Sequence, residues 1–173
     1  MTRDDELIDV FLQPGDLFVG DAGFRIRTLL GSCVSITLWH PRLRIGGMSH
    51  FLLPSRGARA RDTDLDGRYG DEALALLMRD LRQAGVPPTQ CQAKVFGGGN
   101  MFPGQSAAGT ILVGQRNGEA ARALLRDQGI AVTSESLFGD GHRQVIFEVA
   151  TGDVWLQQVR PTSQEENAER WQP

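Results

Sequence analysis

The sequence predicts an α+β fold, a layered sandwich of mixed β-sheet with two main helices packed on the sheet. Three observations predict it. Several short segments alternate apolar and polar residues with a period of two, as half-buried strands do. Two segments repeat apolar residues at i, i+3 and i+4, as amphipathic helices do. Glycine occurs 21 times in 173 residues, which is typical of a strand-rich chain with many tight turns.

The predicted strands lie on both sides of the helices in the sequence. Before the first helix, strands are predicted within 11–22 and at 24–28, 34–39 and 45–53, and Pro54 stops the last of them. After the first helix, the same pattern predicts strands at 93–96, 110–113, 130–133, 145–149 and 154–159. Strands before, between and after two helices indicate sheets covered by helices rather than a helical bundle.

Each predicted helix has a start and a stop signal. The first has a plausible N-cap at Asp71, an apolar stripe from Ala73 to Leu81, and a C-terminal Gly85. The second is predicted to be capped by Asn117 and to end at Gly129. Its stripe consists of Ala120, Ala121, Leu124 and Leu125.

Length and charge limit the functional classes. We expect one domain over residues 1–160 and a flexible polar tail over 161–173. A formal net charge of −3 gives no basic stripe for nucleic acid, and no apolar run is long enough to cross a membrane. The first residues lack the apolar core of a signal peptide, so the sequence predicts a cytoplasmic protein with two free thiols.

Cys33 and His50 are the strongest candidates for chemistry. A symmetric hairpin centred on Pro41 and Arg42 places His40 opposite Leu43 and makes Cys33 and His50 direct cross-strand neighbours on one face. That separation suits a thiolate–imidazolium pair, in which the imidazole activates a cysteine nucleophile. The structural alternative, a buried cysteine beside a satisfied histidine, stays open on spacing alone.

Two further features lie near this pair in the sequence. Thr28 precedes the nucleophile turn and is a candidate third member that orients the imidazole, although a threonine is also ordinary in a strand. The run Gly97-Gly98-Gly99 lacks the spacing of a phosphate-binding loop. It indicates a turn whose backbone approaches another group closely, and the Cys33 site is the expected neighbour.

Metal and cofactor sites are not predicted. Residues 62–67 match the first six positions of an EF-hand loop, but Ala73 occupies the twelfth, where a bidentate Glu is required. The three histidines show no zinc-ligand spacing. The surrounding segment, 55–70, is long and polar, and we expect a mobile loop that borders the substrate cleft.

Several ordered blocks resemble the CheD family of chemoreceptor glutamine deamidases. They are TLLGSCV at 28–34, GGMSHFLLP at 46–54, RYGDEAL at 68–74, KVFGGGNMF at 94–102, the GxxN of 114–117 and the GDV of 152–154. The resemblance covers roughly residues 11–160. Gly141-His142 departs from it, because the family often has Gly-Gly there. Family members also differ in the spacing between the threonine and the cysteine.

The resemblance implies a function and its residues. Cys33 would be the nucleophile and His50 the acid/base, with Thr28 as the third member, in hydrolysing receptor glutamine side chains to glutamate through a thioester. No metal or organic cofactor would be required. The implied partners are the cytoplasmic helices of methyl-accepting chemoreceptors and, in some species, a CheC-type phosphatase.

Two other functions stay open at this stage. One is a non-catalytic regulator that binds a chemoreceptor or a CheC-type phosphatase without turnover, although a pure binding module need not keep Cys33 and His50. The other is a cysteine amidase acting on small amides.

Overall fold

Two β-sheets and two helices make up the fold in the computed structural model, which describes residues 6–57, 64–103 and 112–159. The strands are β1 Ile8–Leu12, β2 Leu17–Gly20, β3 Phe24–Leu30, β4 Val34–His40, β5 Ile45–Ser49, β6 Gln92–Gly97, β7 Val132–Leu137, β8 His142–Glu148 and β9 Val154–Val159. The helices are α1 Gly70–Gln83 and α2 Val113–Asp127.

Both sheets are mixed. One has four strands in the order β1-β3-β8-β9 and the other has five in the order β2-β5-β4-β6-β7. The β1–β3 and β6–β7 pairs are parallel, and the remaining pairs are antiparallel. The predicted α+β sandwich with two helices on the sheet is therefore confirmed.

The core has two layers, one on each face of the five-stranded sheet. On one face, Leu77 of α1 and Leu125 of α2 pack against strand residues that include Ile36. The other face packs against the four-stranded sheet through side chains such as Met48 and Phe147. Each such fully buried side chain contributes roughly 1.5–3 kcal/mol of transfer free energy. The five-stranded sheet is thus the central layer of the fold, and the gap between the two sheets forms the second core layer, the inter-sheet layer.

The β4–β5 hairpin differs from its predicted register. His40 pairs with Ile45, so the connecting loop has four residues, and Arg44 adopts a left-handed φ of 52°. Every pair is therefore shifted by two residues from a hairpin centred on Pro41 and Arg42. Because side chains alternate with a period of two, the shift leaves each residue on its predicted face.

The start of α2 also differs from the prediction. The helix begins at Val113 with Leu112 as its N-cap, and Asn117 lies inside it, fully buried. The prediction that Asn117 caps this helix was wrong. The strand predicted at 110–113 is wrong at Val113, and its residues 110–111 lie outside the described residues. So does the predicted tail, 161–173. None of the described helices is long and apolar enough to span a membrane.

Candidate active site

The three sequence-predicted residues lie near the point where the chain passes from one sheet to the other. Thr28 lies on β3 of the four-stranded sheet and faces the inter-sheet layer. Cys33 follows in the turn that leads into β4 of the five-stranded sheet, and His50 comes directly after β5. The packing of the sheets therefore brings Thr28 and His50 together, although they belong to different sheets.

A hydrogen bond between the sheets fixes the imidazole. The Thr28 hydroxyl donates to the carbonyl of Leu12 at 2.9 Å, and its Oγ1 lies 2.7 Å from His50 Nδ1. A hydroxyl has one proton, and a carbonyl can only accept. The Thr28 oxygen must therefore accept from His50 Nδ1–H. The neutral imidazole is thus held with its proton on Nδ1, which leaves Nε2 as a free base.

The backbone of His50 is held by the loop before β2. Gly15 N–H donates to the His50 carbonyl at 2.8 Å, and His50 N–H donates to the Asp16 carbonyl at 3.1 Å. The side chain is 2 % exposed, and burial lowers the pKa of His50 to about 4, opposed by the negative charge of Asp16. The ring is therefore neutral near pH 7.

Cys33 is half-buried, and this burial disfavours its thiolate form. Burial raises the pKa of the Cys33 thiol, and among the described residues no hydrogen bond joins its sulfur to His50. Continuing the β4–β5 register beyond the Val34–Phe51 bridge places Leu52 opposite Cys33, so His50 is a diagonal neighbour. The predicted direct cross-strand pairing was wrong by two residues.

The same burial bears on the predicted thiolate–imidazolium pair. Desolvation disfavours both charged forms, since it raises the pKa of a thiol and lowers that of an imidazole. Both shifts are present here, for Cys33 and for His50. Burial therefore favours the neutral forms of both groups over the predicted thiolate–imidazolium pair.

The glycine run lies directly against the turn that contains Cys33, as predicted. Gly98 N–H donates to the Cys33 carbonyl and Gly99 N–H donates to the Gly31 carbonyl, each at 2.9 Å. Gly97 has a φ of +112°, and a Cβ on it would lie 2.2 Å from the Cys33 carbonyl oxygen. Only glycine allows this approach, which fixes the peptide that follows Cys33.

The N–H groups of the turn are left available. In the described part of the chain, the backbone N–H groups of Ser32 and Cys33 donate to no acceptor. Free N–H groups beside a nucleophile are the donors that an oxyanion needs.

One buried side chain at the site was missed by sequence reasoning. Asn117 of α2 donates through Nδ2 to the carbonyl of Ser32 at 3.0 Å and to that of Leu52 at 2.8 Å. Its neighbours on the same helix face are Gly114, Gly118 and Ala121, all buried. An amide within a stripe of small buried residues is the signal that would have identified it.

The second cysteine lies away from the site. Cys91 belongs to the core between the helices and the five-stranded sheet, and burial raises the pKa of its thiol to about 11. Its sulfur lies 3.8 Å from the Pro87 carbonyl. Its burial and its raised pKa make it a poor nucleophile.

The described ends of the 55–70 loop are tied to α1. Arg56 donates to both carboxylate oxygens of Glu72, at 2.9 and 2.7 Å, and Asp66 N–H donates to the same carboxylate at 3.1 Å. Asp66 also pairs with Arg68 at 2.7 Å. Residues 58–63 lie outside the described residues, so the mobility of this loop stays a prediction. No group of three or more potential metal ligands occurs in the ranges that the structure covers.

Comparisons with known proteins agree with the family resemblance of the ordered sequence blocks between residues 28 and 154. The family model described as CheD chemotactic sensory transduction matches residues 52–158. The chain is 63% identical over 161 residues to a protein of Albidiferax ferrireducens named probable chemoreceptor glutamine deamidase CheD 2, covering 93% of each. It is 48% identical over 151 residues to the probable chemoreceptor glutamine deamidase CheD 3 of Dechloromonas aromatica, covering 87% of this chain and 88% of that protein. An alignment of 161 among 173 residues necessarily includes the segment 28–50, which the family model leaves out.

Proposed function

The chain belongs to the CheD family, and we therefore propose that it hydrolyses glutamine side chains of chemoreceptors to glutamate. Cys33 is the nucleophile, His50 the acid/base and Thr28 the residue that orients it. The observation that carries the proposal is the hydrogen bond between Thr28 Oγ1 and His50 Nδ1, which leaves Nε2 as the free base on the face it shares with Cys33.

Acylation begins with a proton transfer. As the Cys33 sulfur attacks the glutamine side-chain carbonyl, His50 Nε2 takes the thiol proton, a C–S bond forms and the carbonyl oxygen becomes an oxyanion. The N–H groups of Ser32 and Cys33 stabilise that charge. When the oxyanion collapses, the C–N bond breaks and the imidazolium returns the proton to the leaving nitrogen. Ammonia departs and a thioester remains.

Deacylation reverses the roles with water. His50 Nε2 takes a proton from the water that attacks the thioester, the C–S bond breaks, and the imidazolium reprotonates the sulfur. The product carboxyl ionises, so each turnover adds one negative charge to the receptor. Water and one glutamine side chain are consumed, and ammonia and glutamate are formed.

Neutral forms of both groups are compatible with this order of events. With a pKa of about 4, the His50 imidazole is unprotonated and ready to accept the thiol proton at neutral pH. The transfer itself is uphill, because burial raises the pKa of the thiol and lowers that of the imidazole. The oxyanion donors must therefore supply much of the stabilisation of the transition state, and the negative charge of Asp16 favours the imidazolium as it forms.

The substrate class sets the partners and the place of action. The proposed substrate is the cytoplasmic helical region of a methyl-accepting chemoreceptor, so the proposed location is the cytoplasm. A CheC-type phosphatase is a further proposed partner, on the family resemblance alone. The alternative function is a regulator that binds these partners without turnover.

Mass spectrometry of a purified chemoreceptor cytoplasmic fragment tests the proposal. Incubation with the protein should raise the mass of specific glutamine-containing peptides by the difference between an amide NH2 and a hydroxyl, and ammonia should appear in equal amount. The matched control, Cys33→Ala, should leave the peptides unchanged. Tight binding of the fragment with no mass gain would support the regulator instead.

A further inference from the structure

Asn117 bridges the two chain segments that hold the nucleophile. It lies inside α2 with 0 % of its surface exposed, and both acceptors of its amide are backbone carbonyls, those of Ser32 and Leu52. Because a carbonyl cannot donate, the NH2 of the amide must face both of them. The two bonds therefore assign the orientation of the side chain without ambiguity.

The bridge lies where the hairpin ladder has ended. The last backbone pair between these segments joins Val34 and Phe51 through two hydrogen bonds of 3.1 and 3.0 Å. One residue further along lie Cys33 and Leu52, which the ladder no longer joins. There the Asn117 amide joins the two segments instead, because it donates to the Leu52 carbonyl and to the carbonyl of Ser32, the residue before Cys33.

The bond to Ser32 has a consequence for Cys33. In a trans peptide the carbonyl and the N–H point in opposite directions, so holding the Ser32 carbonyl also aims the Cys33 N–H. The peptide after Cys33 is held in turn by Gly98 N–H. Both peptides that flank the nucleophile are thus fixed, and the Cys33 N–H keeps no partner among the described residues.

Resting on the proposed function, we infer that Asn117 is a positioning residue that aims the Cys33 N–H at the oxyanion. Glycines bring the helix close enough for this contact. A Cβ on Gly114 would lie 2.6 Å from the backbone of Gly98 and Gly99, and one on Gly118 would lie 2.5 Å from the ring of Phe138. The short Asn side chain can reach the nucleophile turn only because α2 packs this closely.

Two reactions of the Cys33 thiol separate this role from a purely structural one. Acylation by p-nitrophenyl acetate passes through an oxyanion and releases p-nitrophenolate. Alkylation by iodoacetamide displaces iodide at a saturated carbon and forms no oxyanion. Both rates are measured in the full chain for wild type, Asn117→Ala and the isosteric Asn117→Asp. The control is Leu125→Ala, which removes a fully buried side chain from the same helix.

We expect Asn117→Ala to slow acylation at least about tenfold, given that losing one oxyanion donor outright costs about 10²–10³ in rate. Alkylation should stay within about threefold of wild type, because the thiol and His50 are untouched. On a receptor fragment, kcat should fall with acylation while KM changes little. Leu125→Ala should leave both Cys33 reactions near wild type below its melting temperature.

Each other outcome is informative. An equal fall in both reactions, or no fall in acylation, would overturn the inference. If Asn117→Ala does not fold, Asn117→Asp decides by the same ratio, and failure of both to fold would show that the role is structural. If wild type acylates but deamidates no receptor fragment, the proposed function fails, while the acylation ratio still decides the role of Asn117.

Discussion

Replacing Thr28 by valine tests whether its hydroxyl fixes the His50 imidazole, the proposed acid/base. Valine keeps the β-branched shape that suits a buried strand position, so the gap between the sheets should stay filled. What is lost is one hydroxyl. Its removal leaves the His50 Nδ1–H without its acceptor and the Leu12 carbonyl without this donor, both inside the inter-sheet layer.

The size of the effect follows from these two contacts. Leaving a buried polar group without its partner costs about 1–3 kcal/mol, so we expect the free energy of unfolding to fall by that order. For catalysis, the hydrogen bond to Nδ1 stabilises the oriented His50 tautomer by about 1 kcal/mol or slightly more. A difference of about 1.4 kcal/mol changes the population of that tautomer by a factor of ten. With the proton free to occupy Nε2 and the ring free to turn, kcat should fall by about fivefold to tenfold.

Kinetics and denaturation measure the two effects separately. Ammonia release from a receptor fragment gives kcat and KM, and urea titration gives the free energy of unfolding. KM should change little, because Thr28 is only 2 % exposed and cannot contact a large substrate. Thr28→Ser is the matched control, since it keeps the oxygen that bonds His50 and the proton that bonds Leu12.

Two results would refute the reasoning. If Thr28→Val keeps the kcat of wild type, the Thr28–His50 bond does not orient the base. If Thr28→Ser is as slow as Thr28→Val, the loss comes from packing rather than from the hydroxyl. A fall in kcat for valine, with serine within about threefold of wild type, would confirm the role.

Four further predictions follow from the same geometry. Cys33→Ala and His50→Ala should each abolish deamidation, and the double variant should be no worse, because the residues act as a unit; residual activity in Cys33→Ala would reassign the nucleophile. Iodoacetamide should label Cys33 faster than the buried Cys91 in the folded protein, and equal rates would contradict that. The lowered pKa of His50 means that the folded ring binds its proton less readily than the unfolded one, so about 3 kcal/mol of stability should be lost as pH falls from about 6.5 towards 4. Urea titrations of His50→Gln should lack this component. Gly97→Ala should destabilise by at least about 3 kcal/mol more than Gly85→Ala, because both have positive φ but only Gly97 meets a backbone oxygen; similar losses would mean that the close approach is not needed.

The local sequence pattern predicted the layers of the fold because the burial of side chains repeats periodically along strands and helices. Residues of β3 alternate between the inter-sheet layer and the opposite face, and α1 buries one stripe from Ala73 to Leu81. The hairpin register was harder, because it depends on the loop. A four-residue loop with Arg44 in the left-handed region is not signalled by Pro41, which suits several turn types. The error was an even number of residues, and so Cys33 and His50 remained on one face.

Asn117 shows why a local rule can fail in the interior. Asparagine favours helix N-caps because its side chain competes with the helix for backbone groups. Here it bonds backbone groups of other segments instead, the carbonyls of Ser32 and Leu52. That arrangement exists only because Gly114 and Gly118 let α2 pack closely, which is a tertiary effect that propensity does not contain.

The Thr28–His50 contact was beyond any single-strand pattern, because its two residues lie in different sheets. What the alternation of side chains along β3 does constrain is the face of the strand on which Thr28 lies. Thr28 reaches His50 only from the inner face of β3, and one extra residue within β3 would turn it to the outer face. The glycine run and Asn117 hold the turn at residues 31–33 from two sides, through hydrogen bonds to its carbonyls, so the peptides that flank Cys33 stay in place.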